Sequence, residues 1–184
     1  SEIVVPVVDA RLWHVDDPQL YGARISLAVQ KSARASFAPT DQQAVRFGLR
    51  EVRVEGARIL LNGTPIFLCG YGDDNTEMVT GLPPTDKAVY RQRLALMKSH
   101  GFNYVRHHSW VPFEEYFEAA DELGMLIQPE VPMAYARVFE DSPAAGLAEF
   151  ERIIRAFRNH PSIVFWCGGN EANYGPQWYH RAKE

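Results

Sequence analysis

The stretch Ile163-Val164-Phe165-Trp166-Cys167-Gly168-Gly169-Asn170-Glu171 constrains the fold more than any other part of the chain. Five apolar residues in a row, with no polar alternation, fit a strand buried on both faces, the habit of parallel sheets covered by helices. Two glycines then let the backbone turn tightly, and an amide and a carboxylate follow at once. Just upstream, residues 157–162 close a helix, because Pro161 disfavours helical geometry at His160 and has no N–H of its own to donate. Helix, short turn, buried strand and Asn-Glu make one unit of a parallel α/β sheet, with a carboxylic acid delivered to the C-terminal end of the strand.

The preceding hundred residues repeat that pattern. Residues 58–70 are two apolar runs around Asn62-Gly63, a two-residue hairpin signal. Helices are predicted over 86–100, with Val89, Leu94, Leu96 and Met97 at helical spacing, over 113–123 with Gly124 as stop, and over 142–159 with Ser142 as N-cap and Pro143 in the first turn. Strands are predicted near 66–69, 102–106, 125–128 and 163–167. Such alternation gives either an open doubly wound sheet or part of a (β/α)₈ barrel. No Gly-x-Gly-x-x-Gly turn follows the first strand, so a dinucleotide would lack its phosphate cradle. Polar groups gather at each strand end instead: Asp73, Asp74 and Asn75, then Arg106, His107 and His108, then Glu130, then Asn170 and Glu171.

Residues 1 to about 54 read as all-β. Strands are predicted at 3–8, interrupted by Pro6 and so suited to an edge, at 23–30 with Ile25, Leu27 and Val29 on one face, and at 45–54, with a polar loop over 32–43. A domain boundary is placed near Val54. Composition suits a globular chain: 184 residues, 46% hydrophobic and 23% charged. With a net charge of −4 and scattered basic residues, no nucleic-acid partner is expected. No apolar run nears the roughly 20 residues a membrane helix needs, and the N-terminus does not open a basic-then-apolar signal, so no membrane partner is expected either. Cys69 and Cys167 lack the spacing of a metal site or redox pair and are expected as buried free thiols that pack as small hydrophobes.

Taken together, Leu12-Trp13, Phe47-Gly48-Leu49-Arg50, Leu61-Asn62-Gly63-Thr64-Pro65, Gly101-Phe102-Asn103-Tyr104-Val105-Arg106, Asp121-Glu122-Leu123-Gly124, His160-Pro161-Ser162-Ile163 and Gly169-Asn170-Glu171 occur in an order and spacing that resembles glycoside hydrolase family 2, the β-galactosidases, β-glucuronidases and β-mannosidases. The resemblance implies a fragment with the end of an immunoglobulin-like sandwich (1–54) and the first four βα units of a TIM barrel (55–184). It implies a retaining β-glycosidase, in which Glu171 is the general acid/base, Asn170 binds the sugar 2-hydroxyl and Arg106 supports a nucleophile that sits on a seventh strand absent from this chain. Two carboxyl groups about 5 Å apart are needed for retention, so the 184 residues alone are expected to be inactive. The alternative is a non-catalytic carbohydrate-binding or scaffold module.

The chain also departs from the family pattern. Where members often show Arg-Gly-Val-Asn-Arg-His-Glu, residues 69–75 read Cys-Gly-Tyr-Gly-Asp-Asp-Asn, and Ser109 stands where a histidine is common. The galactosidase metal-ligand positions fall near Ala134 and Ala136, so no metal and no other cofactor is expected. Substrate contacts are expected from Asn170, Arg106, His107, His108, Asp73, Asp74, Glu130 and Trp166, with Trp110 as a further stacking candidate. Because they are adjacent, His107 and His108 point to opposite sides of an extended chain and cannot both line one pocket. Open edges at the first and fourth strands would favour a homo-oligomer.

Overall fold

The computed structural model describes residues 3–29, 38–74, 77, 80–132 and 143–171. Strands β1 (Tyr21–Val29) and β2 (Ala38–Phe47) form an antiparallel ribbon, with Tyr21 opposite Phe47 and a bulge between Leu27 and Ala28. Strands β3 (Val52–Glu55), β4 (Arg58–Leu61) and β5 (Thr64–Ile66) form a meander, turned between β4 and β5 by Asn62 and Gly63, both at positive φ. The chain then alternates: β6 (Gly70–Asp73), α1 (Lys87–Ser99), β7 (Tyr104–His107), α2 (Glu114–Leu123), β8 (Leu126–Gln128) and α3 (Pro143–Phe157). The last three strands form one parallel sheet in the order β6-β7-β8. Parallel bridges Ile127↔Ile163 and Glu130↔Cys167 set segment 163–167 beside β8 as the fourth member. No closed barrel forms among the described residues.

Local chemistry accounts for the helix ends. Asp86 caps α1 by accepting from the Ala88 N–H at 2.8 Å. Helix α2 stops at Gly124, which is left-handed at φ 71 and lies so close to the Val15 carbonyl that a Cβ would collide with it. The Ser142 cap of α3 lies outside the described residues, as do Asn75, Ala134 and Ala136.

Several sequence expectations need correction. The first parallel strand is β6 at 70–73, not 66–69. Ile66 is retained by the meander, Phe67 is 84% exposed, and Asn103 holds the intervening backbone by donating to the Phe67 carbonyl and accepting from the Cys69 N–H, both at 2.8 Å. Residues 38–43, expected as loop, belong to β2; that strand is polar and exposed, so no alternation betrays it. The expected strand at 45–54 breaks at Gly48. There the backbone leaves the ribbon to pack on Pro161, whose Cγ would stand 2.7 Å from a Cβ, and Arg50 donates to the Pro161 and Ile163 carbonyls. Residues 3–8 form no strand and are exposed, consistent with the N–H that Pro6 lacks. In α1 the buried positions are Tyr90 and Leu94, while Leu96 is 58% exposed, and of the two cysteines expected to be buried Cys69 is exposed and Cys167 half-buried.

The main core lies between the sheet and its helices. It combines Tyr90 and Leu94 of α1, Tyr116, Phe117, Ala119 and Ala120 of α2, Val105 of β7 and Ile127 of β8, with Met125 and Ile163 beside the sheet. A second cluster, Trp13, Val15, Leu61 and Leu126, joins the N-terminal segment and the meander to the sheet. Asp121 fixes this end too, accepting from the Ser162 N–H at 3.0 Å and pairing with His160 Nδ1 at 2.7 Å.

Candidate active site

Parallel register brings the strand-end residues into one neighbourhood. Gly72 pairs with Arg106 and Arg106 with Gln128, while Glu130 bridges to Cys167, three residues before Asn170. The Glu130 side chain is 0% exposed, and its Oε1 accepts from Arg106 Nε at 2.6 Å and Gln128 Nε2 at 3.3 Å. Its Oε2 accepts from the Ser109 N–H at 2.9 Å, with Ser109 held at φ 59. Burial pushes the Glu130 carboxyl up, but Arg106 and the Ser109 N–H outweigh it and hold the group below the usual carboxylate range. The same pair raises the Arg106 pKa, chiefly through the Glu130 hydrogen bond. Arg106 reaches Asn170 Oδ1 as well, at 2.8 Å, and Asn170 is buried. Burial pushes the neighbouring Cys167 thiol up, so it stays protonated.

Glu171 differs from these in being exposed. Its φ of 50 lies in the left-handed region that a glutamate rarely adopts, just after Gly169 at φ 128. Strain of this kind concentrates at functional positions.

The other predicted site residues fall into two groups. Asp74 and His108 lie at the rim, 3.7 Å apart between Oδ1 and Nδ1, with Asp74 71% exposed. Asp73 sits between, its carbonyl accepting from Trp110 Nε1 at 3.0 Å and from the His108 N–H at 2.9 Å. Trp166 is half-buried against two apolar clusters. His107, by contrast, is fully buried, edge-on to the rings of Trp110 and Tyr116. Among the described residues neither ring nitrogen has a hydrogen-bond partner, and Asp73 Oδ2 stands 3.9 Å from Nδ1. The two histidines do face opposite ways, and the one turned inward is His107. Sequence reasoning missed Gln128, Ser109, Tyr104 and Cys167 as members of the network; only the place of Gln128 at the end of the third parallel strand, two residues before Glu130, hinted at one of them. Among the described residues no group of three or more His, Cys, Asp or Glu could hold a metal ion, and no helix is long and apolar enough to cross a membrane.

Burial drives the His107 pKa down to about 3, so the ring is neutral at ordinary pH. In the unfolded chain it would titrate near 6.5, so between those values the unfolded state binds the extra proton and stability falls as the pH falls. Unfolding free energy is expected to drop by roughly 2–3 kcal/mol between pH 6.5 and 4.5. His160 acts in the opposite sense and elsewhere on the scale. Burial lowers its pKa, but Asp121 and then Glu114 raise it on balance, so its contribution is full below the ordinary value and is lost as pH rises through the raised one. Urea titrations of the wild type and of His107→Phe at the two pH values check this, and equal acid sensitivity would show that His107 is not its source.

A parallel sheet with crossover helices, carrying polar and ionised groups at the C-terminal ends of its strands, is the arrangement of an α/β fold with its site at the strand ends. The family described as "Glycosyl hydrolases family 2, TIM barrel domain" matches residues 52–183, and the chain belongs to it. Over 185 aligned positions the chain is 30% identical to a β-galactosidase of Aeromonas hydrophila, covering 96% of this chain and 17% of that protein. It is 29% identical to a β-glucuronidase of Streptococcus agalactiae, covering 89% and 29% respectively. Among solved structures it resembles a β-glucuronidase from Ruminococcus gnavus in complex with D-glucuronic acid, with a TM-score of 0.77, 30% identity, and coverage of 96% of this chain and 30% of that one. The chain thus spans less than a third of the length of these relatives.

Proposed function

We propose that these residues serve a retaining β-glycosidase acting on O-linked carbohydrates, with Glu171 as general acid/base. Residues 55–184 are then the first half of the catalytic barrel and residues 1–54 the end of an immunoglobulin-like sandwich. The observation that carries the reading is the arrangement around Asn170: its carbonyl oxygen is held by Arg106 at 2.8 Å while the next residue, Glu171, is exposed and strained at the end of the fourth segment. Glu171 protonates the departing glycosidic oxygen and then deprotonates the incoming water, and Asn170 holds the sugar 2-hydroxyl. The guanidinium of Arg106 supports the charge of a nucleophile from a seventh strand. Asp73, Asp74, His108 and Trp166 border the sugar, and His107 supports that wall from beneath.

Neither galactose nor glucuronic acid is preferred by the residues described, so the proposed substrate class is a β-glycoside without further restriction. β6 and segment 163–167 each have a side that is unpaired among the described residues, which favours association, with a second copy or with further strands. The test is the anomer formed first when an active protein containing this sequence hydrolyses a 4-nitrophenyl β-glycoside. Proton NMR is expected to show the β-anomer appearing before mutarotation, as double displacement requires. Initial α-anomer would mean an inverting reaction and would overturn the assignment.

A further inference from the structure

Two side-chain amides in this site have their orientation imposed by a charged neighbour, one that can only donate and one that can only accept. A guanidinium has no acceptor, so the Asn170 atom 2.8 Å from Arg106 has to be its carbonyl oxygen. The NH₂ group is thereby turned away, and Nδ2 is buried without a hydrogen-bond partner among the described residues. Behind Glu130 the pattern recurs. The ionised Glu130 can only accept, so Gln128 turns Nε2 to it at 3.3 Å, and Gln128 Oε1 accepts from Tyr104, whose phenol burial pushes up to about 12. The chain of bonds runs Tyr104, Gln128, Glu130, Arg106, Asn170, and the one full negative charge in it is Glu130.

We propose that Glu130 is a positioning residue that does not touch substrate: through Arg106 it fixes the Asn170 amide with its oxygen inward and its NH₂ as the donor offered to the sugar hydroxyl. This corrects the expectation that Glu130 contacts the sugar, since its side chain is 0% exposed and both oxygens are engaged by protein donors. It rests on the reading of Asn170 as the hydroxyl-binding residue. Glutamine cannot replace Glu130, because in either amide orientation its NH₂ would face a donor, Arg106 Nε–H or the Ser109 N–H. Once Arg106 loses its anchor, the two orientations of the Asn170 amide draw together in energy.

The direct test is the side-chain ¹⁵N–¹H spectrum of the 184-residue chain. The wild type is expected to show a protected Arg106 Nε–H and one set of Asn170 NH₂ signals. In Glu130→Gln the Arg106 Nε–H should lose protection and the Asn170 pair should shift or split into two sets, while Glu130→Asp should stay near the wild-type pattern. Arg106→Lys should move the Asn170 pair with Glu130 still in place, and it decides the matter if Glu130→Gln does not fold. An Asn170 pair unmoved by the folded variants overturns the proposal.

A kinetic arm separates this proposal from the reading beneath it. In an active protein containing this sequence, Glu130→Gln should lower kcat/KM about 100-fold on a 4-nitrophenyl β-glycoside, and less than about tenfold on its 2-deoxy counterpart. Equal losses on the two substrates, with Asn170→Ala discriminating between them, overturn the positioning role. If Asn170→Ala itself fails to discriminate, the hydroxyl-binding reading of Asn170 falls, and the spectra still decide whether Glu130 orients the amide.

Discussion

Replacing Glu171 by glutamine in an active protein containing this sequence is expected to cut hydrolysis of glycosides with poor leaving groups by about 10²–10⁴-fold, the usual worth of a positioned general acid. Glycosides with good leaving groups, such as dinitrophenolates, need no proton on the departing oxygen, so their glycosylation step should be nearly unchanged. Deglycosylation still requires a base to activate water, so the glycosyl-enzyme should accumulate and a burst of phenolate should precede a slow steady state. Stopped-flow measurement across a series of aryl leaving groups reads both effects. A flat loss over the whole series would make Glu171 a structural residue, or the attacking group.

The second large effect is on stability and lies at the opposite end of the sheet. Trp13 is 0% exposed and packs with Val15, Leu61 and Leu126. Its indole N–H donates to the Asp121 carbonyl at 2.8 Å, its backbone N–H to Leu49 at 2.8 Å, and its carbonyl accepts from Asn62 Nδ2 at 3.0 Å. Trp13→Ala should therefore cost about 3–5 kcal/mol from the lost burial and the cavity left behind. Part of that cost is the Asp121 carbonyl left without its partner. Trp13→Phe keeps most of the apolar volume and should cost less, about 1–3 kcal/mol for the orphaned carbonyl and the smaller ring. Denaturant midpoints of the three proteins give the comparison. A loss below about 1 kcal/mol for Trp13→Ala would mean that the N-terminal segment is not integral to the fold.

What the sequence disclosed and what it hid divide along physical lines. Gly124 and Asn62-Gly63 were legible because a positive φ is demanded locally, and so were the helices, whose caps and apolar spacing lie within a few residues. The segment 163–167 was legible in place but not in form: it lies beside β8 through two isolated bridges, and only Ile163 is buried, where a strand covered on both faces was expected. The start of the first parallel strand was hidden: an asparagine some thirty residues away, Asn103, bonds to the backbone around Phe67 and Cys69 and moves the strand to Gly70. β2 was hidden because an exposed, polar strand carries no periodic signal. At the site, the strand-end positions of Arg106, Glu130, Asn170 and Glu171 were readable from topology. Their wiring was not, since the hydrogen bonds of Glu130 and the inward turn of His107 depend on register between strands that sequence spacing does not specify.

The most direct measurement is chemical rescue of Glu171→Ala by sodium azide in an active protein containing this sequence. Azide needs no general base, so it should attack the accumulated glycosyl-enzyme from the face where water would have entered, restore turnover of an activated aryl β-glycoside, and yield the β-glycosyl azide. Formation of the α-glycosyl azide would instead identify Glu171 as the nucleophile, and absence of any rescue on a folded variant would contradict its role as acid/base.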